Sequence, residues 1–454
     1  MKKTILFFFI VFHTLSVTSQ CWQSVSAGGS HTLAIRTGGS LWSWGRNNLG
    51  QLGNGSPSNS NIPLQIGTDT DWSVISAGNS HNVALKTNGT LWTWGSNVSG
   101  QLGNNSIINS DIPIQIGTDT DWAFISAGSE YCMAIKTNGT LWAWGDNLND
   151  QLGDGTNVNR LFPKQIGLDS DWRMVSGATN HTLALKNNNT LWAWGKNNSG
   201  QLGDNTIVDK TVPTQIGIDT DWQTVMASLL HSVGMKTNGS LWTWGSNANG
   251  QLGDGTIIDK IIPINISSMS VCSVISKGNQ YTIVKKNDGT MFAWGGNASG
   301  QLGDGTNVQK TVPTQVSGTA TDWLTVSSKT SHTIALKNDG TLWAWGANLY
   351  GQLGDASNSA RNIPTAVSCP FLSVEGFTVL NQIKLFPNPS SSILNIELEE
   401  AIIDKVVVSD LYGKIILEQH GNRSQIDVAA FSNGLYLIQV FSQGNKFQSK
   451  FVKN

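Results

Sequence analysis

One motif, Leu-Trp-x-Trp-Gly-x-Asn followed by Gly-Gln-Leu-Gly, recurs seven times with few departures along this chain of 454 residues. The glycine after its second Trp falls at Gly45, Gly95, Gly145, Gly195, Gly245, Gly295 and Gly346, five steps of 50 residues and one of 51. A fixed period of this length marks a repeat architecture: one unit cannot bury its apolar face alone and must stack on its neighbours. Seven units of strand-forming sequence predict an all-β chain built as a closed ring of seven blades, a seven-bladed β-propeller.

The unit from Trp72 to Asp121 shows how four strands arise. Trp72–Ser76 opens, and His81–Lys86 follows with Val83 and Leu85 alternating against polar neighbours. Thr87-Asn88-Gly89-Thr90 predicts a tight hairpin in which Asn-Gly supplies a positive-φ pair. Leu91–Gly95 is the third strand, and Ile112–Ile116, beyond the Gly-Gln-Leu-Gly loop, the fourth. Strand side chains alternate, so the two Trp of each motif share a face. The residue between them is always small (Ser43, Thr93, Ala143, Ala193, Thr243, Ala293, Ala344), which permits close approach from the other side. All 19 Trp fall within the units at three recurring positions, each ring worth on the order of 200 Å² of contact. Trp44, Trp94, Trp144, Trp194, Trp244, Trp294 and Trp345 are the invariant members; unit six has Cys272 and Phe292 at the other two positions. Gly53 and its equivalents require positive φ or close contact. Asp150, in place of the first glycine of Gly-Gln-Leu-Gly, is a residue that tolerates the left-handed region.

These residues resemble the regulator of chromosome condensation repeat family. The match runs as Gly78-Asn79-Ser80-His81 through Trp94-Gly95 to Gly100–Gly103, recurs around the ring and covers roughly residues 22–368. The resemblance implies the propeller fold and says little about function.

The termini speak for export. Lys2 and Lys3, the apolar run Ile5 to Phe12 and Val17-Thr18-Ser19 read as a signal peptide over residues 1–19, leaving Gln20 as the new amino terminus. Gln20 before Cys21 lacks the small residue that lipid attachment prefers. That run is too short to span a bilayer, and no other apolar stretch reaches the length of a membrane helix. The repeat ends near residue 370; residues 371–380 read as a linker and 381–454 as a second, β-rich domain. Its strand candidates are Ile393–Glu399, Lys405–Asp410, Lys414–Glu418, Leu435–Phe441 and Phe447–Val452. Leu385-Phe386-Pro387-Asn388-Pro389, Asp410-Leu411-Tyr412-Gly413-Lys414, Asn433-Gly434-Leu435-Tyr436 and Lys450-Phe451-Val452-Lys453 resemble a type A sorting domain of the type IX secretion system. That resemblance implies a small β-sandwich that directs export across the outer membrane and is then removed. The protein is therefore expected to be secreted or held at the cell surface, with the secretion machinery as one partner.

Cys21 and Cys369 flank the repeat. Aligned on the unit, Cys369 corresponds to Thr68 and Cys21 to Asp71, three positions apart once the ring closes, which predicts a disulfide between first and last blades. Cys132 and Cys272 belong to units three and six and are expected to be buried thiols.

Charge excludes a nucleic-acid role: 28 Lys plus Arg oppose 30 Asp plus Glu, with no basic cluster to neutralise phosphates. His31, His81, His181, His231 and His332 share one repeat position with Tyr131 and Tyr281. Symmetry spreads them around the ring, so hydrogen bonding explains them better than a metal. Asp-x-Asp recurs at Asp69/Asp71, Asp119/Asp121, Asp169/Asp171 and Asp219/Asp221; Asx turns explain these, and calcium would need six or more ligands. No catalytic constellation, metal site or cofactor site is predicted.

Function is sought where the repeat breaks its own symmetry. The turn before the His position varies, with Glu130 in unit three and the apolar pair Leu229 and Leu230 in unit five. The residue after the motif glycine also varies, giving Arg46, Asp146 and Lys196, and Arg160 and Phe162 add a bulky loop. These eight residues are the candidate binding set for an extracellular protein or glycan, with no enzymatic role and a monomeric chain expected. The alternatives are guanine-nucleotide exchange on a small GTPase, as the resemblance allows, and a carbohydrate-active enzyme with two converging carboxylates. Even spacing leaves no room for the inserted wedge that exchange requires, and export removes the chain from cytosolic GTPases.

Overall fold

The computed structural model describes residues 21–370, 383–398, 402–410, 414–421, 424–442 and 445–454. The expected signal peptide and the linker after residue 370 lie outside the described residues. The described chain is all-β, and residues up to Cys369 and from Pro370 onward form two compact units.

The first unit is a ring of seven four-stranded antiparallel sheets, each made from strands consecutive in sequence. Blade 1 is Trp22–Ala27, His31–Arg36, Leu41–Gly45 and Ser60–Gln65, and the pattern repeats to Trp323–Lys329, His332–Lys337, Leu342–Gly346 and Arg361–Val367 in blade 7. First strands line the axis. Second and third strands are buried, and fourth strands form the exposed rim. In blade 2 the expected strands hold to within two residues. Its hairpin differs from expectation. Lys86 and Thr90 pair across a three-residue loop in which Gly89 alone takes positive φ, while Asn88 Oδ1 accepts the Thr90 N–H. A type I turn with a left-handed glycine replaces the two-residue Asn-Gly turn.

Each blade core is shared with the next. Trp22 packs edge-on against Trp42 at 5.9 Å and tilted against Trp44 at 5.8 Å, and their cluster takes in Ile334, Leu336 and Leu342 of blade 7. Gly53 serves both roles expected of it: φ is +73°, and a Cβ there would meet Trp94 at 2.7 Å. Asp150 takes φ of 60° and preserves its turn.

Hydrogen bonds join the blades by one repeated scheme. The Gln51 carbonyl accepts from Trp94 Nε1 at 3.2 Å and from Asn82 Nδ2 at 2.7 Å, both of the next blade. Asn82 Oδ1 in turn accepts from His31 Nε2 at 2.7 Å. Ser232, Thr282 and Thr32 take the place of Asn82 opposite His181, His231 and His332. Tyr131 and Tyr281 substitute by donating to the carbonyls of His181 and His332. The histidines are therefore structural links between blades. Burial pushes the His31 pKa down to about 4 and those of His81, His181, His231 and His332 to about 3.

The Asp-x-Asp pairs are engaged differently from the expected Asx turns. Lys86 Nζ bridges Asp69 at 2.6 Å and Asp71 at 3.1 Å while lying over the rings of Trp72 and Trp92. Lys136, Lys186 and Lys236 repeat the arrangement. A lysine stem packs on indoles while its head meets two carboxylates, combining cation–π attraction with ion pairing.

No blade borrows a strand from the other terminus. The ring closes through Thr32 to His332, Trp44 Nε1 to the Gln352 carbonyl at 3.0 Å, and the Cys21–Cys369 disulfide, whose cysteines are 348 residues apart in sequence. Cys132 and Cys272 are free and buried. Cys132 receives a hydrogen bond from His81, so it carries a link in the inter-blade scheme beyond filling space.

The second unit has a three-stranded sheet, ordered Lys384–Phe386, Ile393–Glu397, Gln425–Asp427, and a four-stranded sheet, ordered Ile415–His420, Lys405–Ser409, Gly434–Ser442, Asn445–Lys453. Leu394, Ile396, Val406, Val408, Ile438 and Phe451 lie in the core of this small sandwich. The strands Lys384–Phe386 and Gln425–Asp427, three residues each, carry too little alternation to be read from sequence.

Two outcomes follow from this packing. Reducing Cys21–Cys369, or replacing Cys21 by Ser, is expected to lower unfolding free energy by about 3–5 kcal/mol. Urea denaturation with and without reductant tests this, and an unchanged midpoint would show that the hydrogen bonds close the ring unaided. Folded-state histidine pKa values lie below the unfolded value near 6.5, so their stabilisation is complete above pH 6.5 and is lost as pH falls towards 4. Each contributes a slope of up to about 1.4 kcal/mol per pH unit in that window. Lowered carboxylates such as Asp154 add acid sensitivity only below their ordinary value of 3.8. Stability measured between pH 7 and 4.5 should therefore fall steeply, and a flat profile would contradict buried neutral histidines.

Candidate functional site

The two variable positions of the repeat meet in space. The amide after each motif glycine donates to the carbonyl before the His position: Arg46 to Ser30 at 2.9 Å, Asp146 to Glu130 at 2.9 Å, Lys196 to Asn180 at 2.8 Å, and Ser246 to Leu230 at 2.8 Å. First-to-second-strand turns and the start of each third-to-fourth-strand loop thus share one end of the blades.

Their side chains differ in freedom. Arg46 stacks 4.8 Å over the Tyr350 ring of blade 7. Glu130 is exposed and accepts from Ser99 Oγ at 2.9 Å, while Asp146 accepts from Gln151 Nε2 at 2.7 Å. Lys196 Nζ reaches Asn149 Oδ1 at 3.5 Å. Leu229 and Leu230 are half-buried and so do not form an exposed apolar pair. Arg160 and Phe162 stand apart on the outermost strand of blade 3. Arg160 is tied to Asp154 by a 2.6 Å bond from Nε, and Phe162 is 55% exposed on the rim. Lys164 also reaches Asp154, at 2.9 Å, and these cations hold its carboxyl well below the usual range despite burial.

A second feature of the same end is the axial channel. Ser26, Ser76, Ser126, Ser176, Ser276 and Ser327 form a belt in which each Oγ accepts the N–H of the next blade at 2.9–3.0 Å. Met226 interrupts the belt. Above it the repeat keeps small residues, Ala27-Gly28, Ala77-Gly78 and Ala127-Gly128, until blades 6 and 7 place Lys277 and Lys329 there. Both lysines line a cavity of about 220 Å³. Lys329 is 8% exposed and donates to the carbonyls of Ala77 at 2.8 Å and of Ala127 and Gly128 at 3.1 Å. Three carbonyl dipoles aimed at Nζ favour its ammonium form, with three N–H donors, and oppose the lowering of its pKa by burial and by the Lys277 charge. Burial pushes Lys277 down to about 8, which leaves it mainly charged at neutral pH. Sequence reasoning missed this pair. Aligning the Ser-Ala-Gly triplets would have exposed Ser276-Lys277-Gly278 and Ser327-Ser328-Lys329 as breaks in a small-residue column.

Among the described residues no group of three or more His, Cys, Asp or Glu is arranged to hold a metal ion, and no helix is long and apolar enough to cross a membrane.

Comparison with known proteins agrees with this geometry. The RCC1-like domain matches residues 10–284, and regulator of chromosome condensation (RCC1) repeats match 288–336 and 339–377. The secretion system C-terminal sorting domain matches 384–454. Among solved structures, Prp20p from Saccharomyces cerevisiae, characterised for its binding to Gsp1p and histones, is similar at 23% identity and a TM-score of 0.63, over 69% of this chain and 82% of that one. Human WBSCR16 is similar at 20% identity and a TM-score of 0.62, over 70% and 88%. These likenesses concern the fold. The sorting domain implies handling by type IX secretion machinery and marks the protein as secreted or displayed at the cell surface. With 275 residues matched in one stretch, seven blades and a sorting tail, the chain belongs to the RCC1-like domain family and is an exported member of it.

Proposed function

We propose that the propeller is a non-enzymatic binding module that presents its turn-and-loop end to an extracellular protein or glycan. The observation that carries this reading is the gathering of Arg46, Glu130, Asp146 and Lys196 on one end of a ring whose remaining contacts repeat blade by blade. Charges of both signs, half-buried or exposed on rigid turns, suit short-range hydrogen bonding to a mixed or polyhydroxylated surface better than long-range steering. The recurrent groups that would do acid–base chemistry are occupied. The histidines of the repeat position are buried and bonded between blades, and the Asp-x-Asp carboxylates of blades 1 to 4 are each bridged by a lysine. Such pairing opposes the carbohydrate-active reading, and export opposes nucleotide exchange on cytosolic GTPases. The mature chain is read as a monomer running from Gln20 to the 371–380 linker.

Two measurements test this. The exported form should show an intact mass that begins at Gln20 and ends between residues 370 and 380; a full-length cell-associated chain would refute the processing. That form is then screened on glycan arrays and against outer-surface proteins of the producing cell. The combined variant Arg46→Ala, Glu130→Ala, Asp146→Ala, Lys196→Ala should weaken binding at least about tenfold, since charged hydrogen bonds at interfaces carry that much. Asn88→Ala with Asn138→Ala, in hairpins at the other end of the blades, should leave it unchanged. Retained binding in the fourfold variant would sink the assignment of this face.

A further inference from the structure

We propose that the axial channel is a binding site for a small oxyanion, a sulfate, phosphate or carboxylate, contacted by Lys277 and drawn in by the field of Lys329. The argument begins with charge. Two lysines from adjacent blades enter one cavity, and no carboxylate is among the groups acting on either. The other titratable groups that sense them are His31, His81, His181, His231 and Cys132, all buried and held neutral. A cation taken from water without a counter-charge is costly, and an anion from solution relieves that cost.

The two lysines divide the work. Lys329 has committed its three N–H donors to carbonyls of blades 2 and 3, so it contributes charge from a fixed position. Lys277 is half-buried, and its Nζ has no hydrogen-bond or ion-pair partner among the described residues. Its three donors remain available to a ligand. The serine belt adds donors: Ser26, Ser76 and Ser126 accept backbone N–H groups with their lone pairs, which leaves each hydroxyl proton free. Size selects the ligand class. A cavity of about 220 Å³ lies below the roughly 300–1,000 Å³ of drug-sized pockets, which suits a small oxyanion with its water rather than a nucleotide.

The fold supplies its own control substitutions. Position 277 is Ala in blades 1, 2, 3 and 5, so Lys277→Ala installs a residue that this site accepts four times over. The purified exported chain is titrated with inorganic sulfate and, separately, inorganic phosphate at constant ionic strength in chloride. Heat of binding and the thermal midpoint are followed. Wild type should show saturable one-site binding and a rising midpoint. Lys277→Ala should weaken binding at least about tenfold while its midpoint in chloride alone stays equal or higher, and Lys277→Arg should retain binding. Lys329→Gly, the residue of blades 1, 2, 3 and 6, should weaken it as well. Equal affinity in wild type and Lys277→Ala, or no saturable binding of either anion by wild type, would overturn the proposal.

Discussion

The backbone carbonyl of the glutamine in each Gly-Gln-Leu-Gly loop is the point on which this ring depends. It accepts two hydrogen bonds from the following blade, one from a buried Trp Nε1 and one from a side chain on the second strand. In five of the seven junctions that side chain accepts in turn from the histidine of the earlier blade, and at Thr182 and Thr333 it meets the hydroxyl of Tyr131 or Tyr281 instead. One carbonyl therefore ties a loop, an aromatic core and a strand across each blade boundary. Because these groups are buried, breaking one link strands several polar atoms without partners, which costs more than any single bond contributes. The motif's glycines follow from the same constraint: the loop must run so close to the next Trp ring that a Cβ at Gly103 would lie 2.8 Å from it.

This link also explains what the repeat tolerates. Asn82, Cys132, Ser232 and Thr282 differ in chemistry, yet each can accept from the previous blade and donate to a Gln carbonyl. Tyr131 replaces a histidine because its hydroxyl reaches the neighbouring backbone. Loss of Trp at position 272 is absorbed by Met269, Ile275 and Phe292 around Cys272. Symmetric positions are thus governed by blade stacking, and the candidate binding groups stand where stacking places no demand.

Closure follows a different logic from propagation. Every blade is complete in itself, so the hydrogen bonds between blades 7 and 1 are no stronger than those elsewhere, and the seam between termini would be the natural place to open. Cys21–Cys369 removes that weakness by forbidding the ends to separate. For a protein routed outside the cell, where thiols stay oxidised, a covalent clasp is available in place of a shared strand.

The sequence alone determined the number of blades, four strands in each, the Trp core, the disulfide and the sorting domain. The first four follow from local alternation, a fixed period and an alignment of equivalent positions, which survive without knowledge of three-dimensional arrangement; the sorting domain was legible only through the resemblance of its motifs to a known family. Tertiary structure decided the rest. The bridging of Asp69 and Asp71 by Lys86 needs the turn between blades to fold back over an indole pair, and the hairpin at Asn88-Gly89 chose its loop length by strand register. Leu229 and Leu230 looked free in one dimension and are half-buried by their neighbours. Lys329 of blade 7 meets the carbonyl of Ala77 of blade 2, 252 residues earlier, only because the curvature of a closed ring brings non-adjacent blades together at the axis. Periodicity sets how each blade is made, but what converges at the centre depends on the ring having closed.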